Sequence, residues 1–178
     1  KMIEGENEFM TDVLFYQNYT YVADISAIVL CIICWLLLHS SYTVREKSLI
    51  IFKAGTVCLM MATVCSISFH TAITRITESR KILIYVLQDG IYLLLILTFV
   101  LLCNYFGTLL KLEERPARLL GAVSWGGYAV FAFLEIGSPF THLGFYIDAD
   151  LMVHQNFYFD PFRFAYIYYC IVLVVVLF

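Results

Sequence analysis

The sequence predicts an all-α membrane protein: a bundle of about five transmembrane helices with a small extracellular aromatic loop or β-hairpin. Three observations carry this. The 178 residues are 62% hydrophobic and only 14% charged, whereas a soluble domain is nearer half apolar and a quarter charged. The apolar residues fall in runs of roughly 20, the length that crosses a hydrocarbon core of about 30 Å. Most Lys and Arg residues sit in the connections between those runs. With a net charge of only -3 there is no basic footprint, so nucleic acid is not an expected partner.

The elements follow in order. Residues 1–20 form an acidic leading segment, unlike the basic start of a secretory signal. Within it Phe9, Val13, Tyr16 and Tyr19 are near helical spacing, which suits a short interfacial helix on the extracellular side. Spans are predicted at about 21–38, 48–70, 82–106, 119–136 and 164–178. Leu112-Glu-Glu-Arg-Pro116 makes a tight charged turn, with Pro116 suited to the first turn of the fourth helix. The long fourth connection, 137–163, carries the β-prone runs Phe145–Asp148 and Asn156–Phe159 on either side of Asp148-Ala-Asp150. These fit either a small β-hairpin or an irregular loop whose aromatics rest at headgroup level.

Orientation follows from the basic residues. The first and third connections hold Arg45, Lys47, Lys111, Arg115 and Arg118, more than the second and fourth together. The positive-inside rule then puts those two in the cytoplasm and the N-terminus outside a cell membrane.

Ionisable residues inside spans are expensive, so each is a functional candidate. Under this topology Asp24 opens the first helix, His70 ends the second, Asp89 lies roughly 10 Å into the third, Glu135 ends the fourth and Arg163 opens the fifth. Every helix thus brings one such group to the outer half. Tyr85, Asp89 and Tyr92 are spaced i, i+4, i+7 on one face, with Gln88 and Gly90 adjacent. That stripe fits the wall of a ligand pocket; it equally fits a buried acid satisfied by Arg163 or His70 to hold the bundle together. No metal or cofactor is expected, because His39, His70, His142 and His154 lack ligand spacing. Gly126-Gly127 reads as helix packing, and Cys31-Ile-Ile-Cys34 as two small residues in an apolar helix despite its redox spacing. No nucleophile elbow, zinc-protease motif or phosphate loop is present, so the segment is not expected to be an enzyme.

The loop Gly144-Phe-Tyr-Ile-Asp-Ala-Asp150, then Phe157-Tyr-Phe-Asp-Pro161 and the opening Tyr166-Ile-Tyr-Tyr169, resemble the N-terminal multi-spanning sensor regions of bacterial, Firmicutes-type signalling proteins. The resemblance implies six or seven spans in all and a cytoplasmic output domain beyond this chain: a diguanylate cyclase (GGDEF), a phosphodiesterase (EAL) or a histidine kinase. The expected function is therefore a membrane-embedded receptor for a small ligand, with Asp89, Tyr85, Tyr92, Arg163, His70, Glu135 and Asp24 as its site. A homodimer is one arrangement open to it. The alternative is a transporter or channel subunit moving a proton, cation or small solute. That reading wants polar residues at both depths, and the inner half offers only Asn104 and the rim residue Lys53.

Overall fold

The structure, a computed structural model, describes residues 21–37, 39, 47–74, 76–142, 145–148, 151, 153–155 and 160–177. The leading segment with its expected interfacial helix, Arg45, and the aromatic run Asn156–Phe159 lie outside the described residues. The helices are α1 (Tyr21–Leu37), α2 (Lys47–Ile73), α3 (Lys81–Leu109), α4 (Glu114–Ile136), the short α5 (Ser138–Thr141) and α6 (Pro161–Leu177). A 3₁₀ turn, Glu78–Arg80, leads into α3. Strands β1 (Phe145–Ile147) and β2 (Val153–Gln155) follow α5. By length and composition, α2, α4 and the stretch Glu78–Leu109 can each cross a membrane, while α1 and α6 are shorter apolar helices.

The helices form because their apolar runs are uninterrupted by proline beyond the first turn, and because their polar residues are satisfied within the helix. Thr56, Thr63, Ser68, Thr71, Thr98 and Thr108 each donate a hydroxyl proton to a carbonyl three or four residues back. That bond removes the cost of a bare hydroxyl in hydrocarbon. Pro116 sits in the first turn of α4, where its missing N–H is harmless. At 29 residues α3 is about 43 Å long, more than the hydrocarbon alone requires.

Helix α3 is central and packs against α2, α4 and α6. Neighbouring helices run in alternate directions. Phe52 near the start of α2 meets Tyr105 near the end of α3, and Gly107 near the end of α3 meets Leu120 near the start of α4. The starts of α1, α3 and α6 therefore lie at the same end of the bundle as the ends of α2 and α4. The main apolar core, Ile96, Val100, Cys103, Leu120, Ala165, Tyr169 and Val172, joins α3, α4 and α6. Large apolar side chains cover the outside, as on Ile82, Phe133 and Val175.

At the end bearing the α3 start, β1 and β2 pair antiparallel, with Tyr146 opposite His154. Alternation along β1 buries Phe145 and Ile147 against Phe69, Ala72 and Ile84, and turns Tyr146 onto the rings of His142 and His154. The second strand is Val153–Gln155, earlier in the chain than the aromatic run that suggests it in the sequence. Lys81 Nζ donates to the Asp148 carbonyl, tying the turn to the first residue of α3.

The two adjacent glycines of α4 have different environments. A Cβ on Gly127 would lie 2.5 Å from the Tyr168 ring, whose hydroxyl is held by the Val123 carbonyl at 2.9 Å. A Cβ on Gly126 would meet nothing within 4 Å. Gly127→Ala is expected to destabilise the α4–α6 contact by about 1–3 kcal/mol. Gly126→Ala is expected to be neutral or slightly stabilising. Thermal unfolding in detergent distinguishes the two, and equal midpoints would exclude the close contact.

Candidate functional site

The seven residues singled out from the sequence lie at the same end of the bundle, where the structure sorts them into separate groups. Asp24 and His70 belong to a contact between α1 and α2. Ser66 Oγ donates to Asp24 Oδ2 at 2.7 Å, and the Tyr21 and Thr71 hydroxyls are 3.3 Å apart. The Tyr21 ring meets His70 edge-on at 5.7 Å, and the Asp24 carboxyl lies within electrostatic reach of the imidazole. This arrangement clasps α1 to α2 through polar partners.

Tyr85 holds the hairpin. Its hydroxyl accepts the Ile147 N–H at 2.7 Å and donates to the Ile147 carbonyl at 3.4 Å, and its ring packs edge-on against Phe145. Tyr85→Phe leaves the buried Ile147 N–H without its acceptor. The expected cost is about 1–3 kcal/mol, read as faster amide exchange at Ile147 than at core positions of α3. Unchanged exchange there would show that the hydroxyl is dispensable.

The remaining residues converge where α3, α4 and α6 meet. Asp89 and Tyr92 come from α3, Glu135 from the last turn of α4, and Arg163 from the first turn of α6. Glu135 is only 2% exposed, and its Oε2 has no hydrogen-bond partner. The carboxyls of Asp160 and Asp89 both act on it electrostatically. Tyr92 lies within reach of Glu135, Asp160 and Arg163, hydrogen-bonds Gln88, and stacks on Phe162 with ring centroids 4.7 Å apart. Counted from Lys81, Asp89 lies about 12 Å along the helix axis.

Asp160, which in the sequence stands out only within the run Phe157-Tyr-Phe-Asp-Pro161, is a member of this cluster. Its carboxyl is buried and its Oδ1 accepts the Phe162 N–H at 3.0 Å, while Pro161 opens α6. The sequence signal is Asp followed by Pro: an N-cap acceptor and a first helical residue that needs no N–H donor. Burial pushes the Asp160 carboxyl above its ordinary range, and the Phe162 N–H and nearby Arg163 pull it back in part.

Three carboxyls and one guanidinium therefore share a partly buried site. Such a site favours a positive guest, because like charges at close range are costly unless a proton or cation relieves them. Among the described residues no three His, Cys, Asp or Glu side chains are grouped to hold a metal ion. In α1 Cys31 is buried and Cys34 exposed, both as free thiols.

No family profile, curated protein or solved structure matches the chain.

Proposed function

We propose that the chain is a multi-spanning sensor module of a cell membrane, with five spans here, the N-terminus and hairpin outside, and its signal passed to a cytoplasmic output domain. The resemblance to GGDEF, EAL and histidine kinase sensor regions supports that class. The observation that carries the reading is the buried Glu135 with an unpartnered oxygen, set among Asp89, Asp160, Tyr92 and Arg163. Its ligand is a small organic cation such as an amine, held by the carboxyls and oriented by the Tyr92 hydroxyl. Arg163 acts as the counter-charge that the incoming cation replaces. Because α3, α4 and α6 each contribute to the site, binding favours one packing of those helices over another, as a signal requires. The α1–α2 clasp at Asp24 and His70 keeps the neighbouring helices in register.

The alternative, a transporter or channel, needs a polar route through the middle of the bundle. Ile96 and Val100 with Ala165, Tyr169 and Val172 fill that layer, which favours a receptor.

The test is a thermal-shift screen of primary and quaternary amines on the full chain in detergent. An amine is expected to raise the wild-type midpoint, and Asp89→Asn is expected to lose the response. Arg163→Ala is expected to keep or strengthen it. The response should grow as pH rises, because Asp160, with its raised proton affinity, carries its full negative charge only above the ordinary carboxylate range. Identical responses in all variants would remove the site assignment, and proteoliposome flux of the same amine would favour transport.

A further inference from the structure

At the opposite end of the bundle a cavity of about 320 Å³ lies among the start of α2, the end of α3 and the start of α4. Lys47, Asn104, Thr108 and Lys111 supply its polar wall, and Leu112 and Leu120 part of its apolar one. Leu112 and Leu120 also line a neighbouring apolar groove of about 380 Å³ between α4 and α6, which continues along Val123, Val172 and Val176. A cationic cleft thus adjoins an aliphatic groove, with Leu112 and Leu120 bordering both. Among the described residues neither lysine forms an ion pair.

Lys111 is in an unusual conformation. The α3 helix ends in a Schellman arrangement, with Leu112 N–H bonded to the Gly107 carbonyl and Lys111 N–H to the Thr108 carbonyl. The first residue past the cap must then be left-handed, and that residue is Lys111, with φ 51°. Glycine is the usual occupant, because a Cβ is disfavoured there. A lysine in that position places its charge beside the cleft at the expense of backbone strain, which points to a use for the side chain.

We infer that this cleft and groove bind one anionic phospholipid of the surrounding leaflet. The headgroup phosphate sits between the ammonium groups of Lys47 and Lys111, within reach of the Asn104 amide, and an acyl chain lies in the α4–α6 groove. Charge complementarity selects the anionic headgroup, and the leucines shared by both linings put the headgroup and chain sites side by side. The lipid thereby links α2, α3, α4 and α6 at the end away from the acidic cluster. This site does not depend on the sensor reading; it requires only that the bundle sits in a bilayer.

The experiment is native mass spectrometry of the full chain with phosphatidylglycerol and phosphatidylcholine at equal concentrations, in parallel with thermal unfolding. The wild type is expected to retain one phosphatidylglycerol at least roughly tenfold more than phosphatidylcholine. Lys111→Gly, which relieves the left-handed strain, should unfold at an equal or higher temperature and yet lose most of that preference. Lys47→Gln should lose part of it, and Val176→Trp, which fills the groove, should lose the bound lipid of either kind. Equal retention of the two lipids by the wild type would overturn the proposal. So would an undiminished preference in Lys111→Gly. Stabilisation by inorganic phosphate equal to that by the lipid would overturn it too, as would a lipid-free dimer in which the groove is closed by a second copy.

Discussion

Glu135→Gln is expected to weaken amine binding about a hundredfold while raising the unfolding temperature of the ligand-free protein. The two effects have one cause. In the free protein a buried carboxyl leaves one oxygen unpartnered and lies near two other carboxyls. An unsatisfied buried polar atom costs about 1–3 kcal/mol, more when it is charged. Glutamine keeps the shape, carries no charge, and can donate its amide N–H groups toward Asp160 or Asp89. The ligand-free state then no longer buries a third acid against Asp89 and Asp160. The bound state loses one partner of a desolvated ion pair, for which about 3–5 kcal/mol is typical. Isothermal calorimetry and thermal unfolding on the same samples check both halves. If Glu135→Gln lowers the unfolding temperature and leaves the amine response intact, Glu135 is a structural acid and the sensor site lies elsewhere.

The largest loss of stability is expected from Tyr169→Ala. Tyr169 is fully buried, stacks near Phe99 at 6.1 Å, and donates to the Ser124 carbonyl at 2.7 Å. It is the largest side chain in the core that joins α3, α4 and α6. Truncation leaves a void in a layer that bilayer lipid does not fill. About 3–5 kcal/mol is the usual cost of removing a buried aromatic. Tyr169→Phe keeps the ring and loses only the hydrogen bond, about 1 kcal/mol. The difference between the two variants, measured by unfolding in mixed micelles, gives the share due to packing. Equal effects would mean that the hydroxyl, not the ring, joins the helices. Because the same core seals the bundle below the acidic cluster, Tyr169→Ala also tests the separation of the two ends: amine binding should survive in whatever fraction stays folded.

Helix positions were legible because a span must satisfy its own backbone and present roughly 20 apolar residues. Both constraints are local, so α1–α4 and α6 fall close to the predicted runs; their ends extend by up to five residues where charged and polar residues such as Lys47, Glu114 and Arg115 continue the helix past the apolar run. The burial of Phe145 and Ile147 on one face of β1 follows from period-two alternation. The glycine pair was half legible, since only Gly127 faces a partner.

The sequence by itself determined that the chain is a helical bundle suited to a membrane, and that its ionisable groups gather at one end. Both follow from the cost of placing charge and unpaired backbone in hydrocarbon. Only the tertiary structure decided which of those groups meet. Asp24 and His70 pair off between α1 and α2, Tyr85 turns to the hairpin, and Asp89, Tyr92, Glu135 and Arg163 join Asp160. Rotation of a helix about its axis is set by interhelical packing, by Gly127 against Tyr168 and Tyr169 against Ser124. A nearly uniform apolar helix carries little record of that rotation in its own sequence.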